Sequence, residues 1–123
     1  MTRDRRAALE RGVRAEQLVS DLLDGQGWTV LARNWRGGRG ELDLVVERER
    51  CLRFVEVKAR GPEDPWPDQA VTPAKQRRLV SAARTWLAGM DHEPDEACFL
   101  VAMVTCGPGP WEVELIDDAF DGG

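Results

Sequence analysis

Histidine is almost missing from this sequence: His92 is the only one in 123 residues, set in a polar loop between Asp91 and Glu93. A histidine-dependent nuclease or a Ser-His-Asp hydrolase would rest on that one side chain with no supporting motif. Cysteine is scarce and unpaired. Cys51, Cys98 and Cys106 are odd in number and form no CxxC, which argues against a disulfide framework or a zinc knuckle and for buried free thiols. No apolar run approaches the roughly 20 residues that cross a bilayer, and MTRDRRAALERG lacks the apolar stretch of a signal peptide. The chain is therefore expected to be soluble and cytoplasmic, with no membrane partner. GGRG lacks the length of a dinucleotide fingerprint and the lysine of a Walker loop, so it reads as a turn.

Basic residues are missing from the last third. Residues 1 to 90 hold all 17 basic residues and 13 acidic ones, whereas residues 91 to 123 hold 9 acidic residues and no basic one. The formal net charge of -5 thus conceals a positive region and a strongly negative one. The first could face phosphates, whose binding is driven by Lys and Arg displacing counterions. An ordinary solvated surface with an acidic tail fits the same charges.

What is present is a patterned single domain spanning 1–123, large enough to bury about two thirds of its unfolded surface. Apolar residues at Ala8, Leu9, Gly12, Val13, Ala15, Leu18, Val19, Leu22 and Leu23 have the spacing of an amphipathic helix over Asp4 to Asp24, closed by Gly25 to Gly27. Strands follow at WTVLARNW (28 to 35), at ELDLVVE (41 to 47) and at CLRFVEVKA (51 to 59), with a hairpin loop at Glu47 to Arg50. Prolines mark GPEDPWPDQ as a surface loop, in which Trp66 is the tryptophan best placed to touch a partner. Thr72 and Pro73 announce a second helix running to Gly89. The apolar run ACFLVAMVT (97 to 105) reads as a central strand and WEVELI as an outer one, with a short helical turn near Asp117 to Phe120. The order is α-β-β-β-α-β-β, an α/β fold with a mixed sheet flanked by helices and an extra edge strand at the C-terminus.

Acids and a lysine interrupt the most strand-like segments. Glu56 and Lys58 project to one side of their strand, opposite Val55 and Val57; Asp43 shares a side with Glu41, opposite Leu42 and Leu44. In a suitable hairpin register Asp43, Glu56 and Lys58 converge. Two carboxylates about 5 Å apart repel by about 3 kcal/mol at an effective dielectric near 20, so one lysine only partly offsets them, and a divalent cation would neutralise the cluster. Oxygen ligands suit Mg2+ or Mn2+. Only Lys58 and Lys75 among the basic residues are lysine. A compact ammonium at position 58 suits a place beside a metal-bound water. Taken alone, the same residues also fit a solvent-facing strand with ordinary cross-strand ion pairs.

The strings GELDLVV and FVEVKAR, with RGVRAE in the first helix, RNW before the glycine turn and Lys75 opening the second helix, resemble the YraN-like family of bacterial proteins over about residues 8 to 105. That family is similar to archaeal-type Holliday junction resolvases and to the PD-(D/E)xK nucleases. The resemblance implies a restriction-endonuclease-like αβββαβ core and a magnesium-dependent phosphodiesterase site. It makes Asp43 and Glu56 metal ligands, Lys58 the catalytic lysine and Glu16 a further ligand from the first helix. A homodimer acting on branched DNA follows by analogy with the resolvases. The chain departs from the pattern at Cys98, Phe99 and Leu100, where many relatives carry Arg-Phe-Asp, and at Arg53, where an aliphatic residue is usual.

Around this constellation, Lys75 and Arg78 at the start of the second helix, Arg36 and Arg39 beside the glycine turn, and Arg60 past the third strand are expected to contact the nucleic-acid backbone. A merely solvated face fits them too. Two further readings stay open: a nuclease-like fold kept as a non-catalytic DNA-binding or partner-binding module, and an interaction protein whose acidic C-terminal third recruits a basic partner.

Overall fold

The computed structural model describes residues 3–65 and 71–120; Trp66 lies outside them. In chain order the elements are α1 (Arg3–Gly25), β1 (Thr29–Gly37), β2 (Gly40–Arg48), β3 (Cys51–Arg60), α2 (Pro73–Ala88), β4 (Glu96–Thr105) and β5 (Glu112–Asp117). The strands form one mixed sheet in the order β1-β2-β3-β4-β5, antiparallel except for the parallel pair β3/β4. Parallel neighbours need a long crossover, and α2 supplies it. The order expected from the sequence is the order observed.

Each helix covers one face of the sheet. Ala15, Val19 and Leu23 of α1 recur every fourth residue and pack on Leu44, Val46, Val55, Leu100, Ala102 and Val104. Leu79, Ala82 and Ala83 of α2 pack on Leu42, Val45, Phe54, Phe99, Val101 and Met103. β4 is apolar from Phe99 to Val104, where both its faces are covered. The α1 stripe was expected to begin at Ala8, but only the half from Ala15 onward lies on the sheet. Leu9 and Val13 are 55% and 68% exposed. A 23-residue helix is about 34 Å long, and its first half overhangs the sheet. Gly27, at φ +92°, makes the left-handed turn after α1, with the Trp28 N–H donating to the Leu23 carbonyl.

Two other expectations change. The loop placed at Glu47–Arg50 narrows to Glu49 and Arg50, both at positive φ as a tight two-residue hairpin requires, while Glu47 and Arg48 extend β2. The helical turn near Asp117–Phe120 is instead the end of β5 followed by a bend, in which Ala119 N–H donates to the Phe99 carbonyl and Phe120 stacks on Phe99 at 4.4 Å. The start of α2 is as expected: Thr72 caps it, its hydroxyl accepting from the Lys75 N–H at 3.3 Å, and Pro73 opens the first turn. Among the described residues, no helix is long and apolar enough to cross a membrane.

Candidate metal centre

The β2/β3 ladder runs from Arg48↔Cys51 to Leu44↔Val55 and stops there. At the next position the Asp43 side chain enters the seam, its Oδ2 accepting from the Val57 N–H at 2.8 Å in place of a backbone carbonyl. Simple alternation puts Leu42 and Leu44 on one face. They pack instead into opposite cores, Leu42 under α2 and Leu44 under α1, so β2 changes face at Asp43. That break turns the Asp43 carboxylate towards Glu56 of β3, and the two share a hydrogen bond when one carries a proton.

Glu56 is 7% exposed, and its Oε2 is buried without a hydrogen-bond partner. Burial, then the Asp43 charge, raise the Glu56 pKa to about 7. Burial also raises Asp43, against the stabilising Val57 N–H. Both shifts mean that the folded protein resists holding two negative charges at this seam.

Two lysines face this pair. The nearer is Lys75 of α2, with Nζ 3.6 Å from Glu56 Oε1. Lys58, half-buried on the same strand as Glu56, acts on that carboxylate more weakly. Glu16 of α1 comes in from the other side. Its pKa is raised by burial and then by the Asp43 charge, and the Asn34 side chain donates a hydrogen bond to it. Asn34 adopts φ +47° in the middle of β1, a conformation that asparagine tolerates better than most residues. Sequence reasoning did not give Asn34 a place in the site; the available signal was an asparagine inside a strand, where it is uncommon.

The donor set fits a hard divalent cation. Magnesium keeps several of its waters and is usually held by one or two carboxylates, which the Asp43–Glu56 pair provides, with an unsatisfied Glu56 oxygen to offer. It is an open pair and not a closed cage: among the described residues no group of three or more acids, histidines or cysteines is arranged to hold an ion.

Arg36, Arg39, Lys75 and Arg78 line one groove between the β1–β2 turn and the start of α2. Glycine makes this possible. Gly38 sits at φ +58°, and a Cβ there would meet the Ser81 hydroxyl and carbonyl; a Cβ on Gly40 would run into the Arg78 carbonyl. The turn therefore presses against the helix backbone, fastened by the Arg39 N–H donating to Ser81 Oγ at 2.9 Å. Arg36 pairs with Glu41 at 3.6 Å, which gives that glutamate a partner. Arg60 is not in this groove; it bonds the Asp64 carbonyl and Thr105.

Arg53 is explained by its neighbours. It lies opposite Cys98, and Leu100 lies opposite Asp117. Arg53 Nε is 2.7 Å from Asp117 Oδ1, and the guanidinium also bonds Glu96 and lies over Trp28. Arg53 of β3 and Asp117 of β5 thus form an ion pair from the strands on either side of β4.

Comparison with known proteins identifies relatives of the chain. The model of the "Uncharacterised protein family UPF0102" matches residues 15–104. A UPF0102 protein of Rhodopseudomonas palustris is 40% identical over 116 residues, covering 94% of this chain and 86% of its own. One from Symbiobacterium thermophilum is 41% identical over 111 residues, covering 89% and 94%. Glu16, Asp43, Glu56, Lys58 and Lys75 all fall inside the matched span, and this chain belongs to the UPF0102 family, the YraN-like group that its GELDLVV and FVEVKAR strings resemble.

Proposed function

We propose that this protein is a divalent-metal-dependent endonuclease that hydrolyses DNA phosphodiester bonds on a restriction-endonuclease-like core. The observation that carries the reading is the Asp43–Glu56 pair: a half-buried and a buried acid from adjacent strands, both with raised pKa, with an unpartnered Glu56 oxygen and flanking lysines. The element order and the resemblance of the strand motifs support the same core. Asp43 and Glu56 would hold Mg2+ or Mn2+, and Glu16, which the resemblance implies as a further ligand, stands behind Asp43 outside that pair. The ion supplies a Lewis acid and a water of lowered pKa. Lys58 orients the attacking water and offsets charge developing on a phosphate oxygen. Arg36, Arg39 and Arg78 bind the backbone without reading sequence. Branched DNA as substrate and a homodimer as the acting form rest on analogy with the resolvases.

The test is a nicking and cleavage assay on linear, flapped and four-way DNA with Mg2+, Mn2+ or EDTA. Metal-dependent cleavage should fall by about a hundredfold or more in Lys58→Ala and Glu56→Gln, each still folded by circular dichroism. Equal cleavage by wild type and both variants defeats the reading. The open, two-acid character of the centre favours one alternative, a non-catalytic module that binds DNA or a protein. That alternative predicts DNA binding with no cleavage on any substrate and no thermal shift with Mn2+.

A further inference from the structure

The Lys75 ammonium is 3.6 Å from Glu56 Oε1 and also lowers the Asp43 pKa, so one cation serves both acids of the pair. Its location is not explained by the helix that carries it. Lys75 is the third residue of α2, and its N–H is held by the Thr72 cap. A positive charge in the first turn opposes the helix dipole, and no acid in that turn compensates. The partner that accounts for this lysine is across the interface, on β3.

We propose that Lys75 is a tethered counter-ion of the acid pair, a built-in monovalent occupant that a divalent cation must displace in order to bind. The inference rests on the reading of Asp43 and Glu56 as metal ligands. An ammonium close to Glu56 Oε1 and an incoming ion draw on the same carboxylate charge, and each weakens the hold of the other. The displaced side chain has a place to go, because Lys75 also borders the groove lined by Arg36, Arg39 and Arg78, where a phosphate would receive it. Without metal the ammonium guards the acids; with metal it turns to the substrate side. Of the two lysines, Lys75 is the one in ion-pair contact with Glu56, which makes it and not Lys58 the guard.

Titration calorimetry of the full chain with MnCl2 at pH 7.5, cross-checked by thermal shift, tests this independently of activity. Lys75→Met should bind Mn2+ roughly three- to tenfold more tightly than wild type, the scale expected for losing a half-exposed ion pair. Lys75→Gln, which keeps a polar side chain but no charge, should behave alike and stands in if the methionine variant folds poorly. Equal or weaker Mn2+ binding by the variants overturns the role of Lys75 and leaves the metal centre standing. Absence of Mn2+ binding by wild type and variants alike overturns both.

Discussion

At the scale of single residues, Glu56 dominates. Its folded pKa of about 7 lies above the 4.5 of a free glutamate, because burial and the Asp43 charge penalise the ionised form. The fold therefore favours protonated Glu56. That contribution is complete below about pH 4.5 and is lost as the pH rises through 7, a swing on the order of 3 kcal/mol. Urea unfolding of the metal-free protein should show stability declining between about pH 5 and 8. Glu56→Gln, neutral throughout, should flatten the decline and be the more stable protein at pH 8; a wild-type curve as flat as that of the variant would rule out Glu56 ionisation as the cause. Asp43, Glu56 and Lys58 were legible because charged groups interrupting a strand stand out by type alone. The hold of Lys75 on Glu56 was not, since it depends on how far a helix docks along a sheet, which no local spacing encodes. The role of Arg53 was equally hidden: it needs the pairing of three strands to see that Arg53 and Asp117 flank Cys98 and Leu100.

Among the elements, the contact between the β1–β2 turn and α2 sets the geometry of the arginine groove. Gly40→Ala forces a methyl against the Arg78 carbonyl, so either the turn or the helix must move. A loss of about 1–3 kcal/mol is expected, read as a fall in melting temperature. Gly12→Ala is the matched control. Gly12 lies in α1 with open space around the position of a Cβ, and the change should be neutral or stabilise by up to about 1 kcal/mol. Similar losses at both positions would mean that the turn does not depend on close approach. Element order and most boundaries could be read from periodicity and capping, because helix and strand leave different hydrophobic spacings. The overhang of α1 could not, since apolar residues at Leu9 and Val13 continue the stripe whether or not a sheet lies beneath them. The face change at Asp43 also escaped, because it comes from the end of a hydrogen-bonded ladder and not from side-chain pattern.

Across the whole molecule, opposite charges occupy opposite edges of the sheet. β5, at one edge, carries Glu112, Glu114 and Asp117; the β1–β2 turn at the other brings Arg36 and Arg39 against α2. Five strands separate these edges by about 19 Å, well beyond the ~8 Å screening length at physiological salt, so a net charge of -5 does not describe what a ligand meets at the groove. DNA binding measured by fluorescence anisotropy in EDTA should weaken steeply from 50 to 200 mM NaCl. Arg39→Ala and Arg78→Ala should each reduce the slope of log K against log salt by about 0.9 and should do so on any sequence. Slopes unchanged by either substitution would remove the groove from the binding surface. The uneven distribution of charge was visible along the chain, but its placement on two edges required the strand order. The seam at Asp43 carries a last consequence, for denticity. With one lone pair of Oδ2 taken by the Val57 amide, Oδ1 is the less encumbered oxygen, so under the proposed metal reading this aspartate would bind most readily through one oxygen and leave much of the coordination sphere to water.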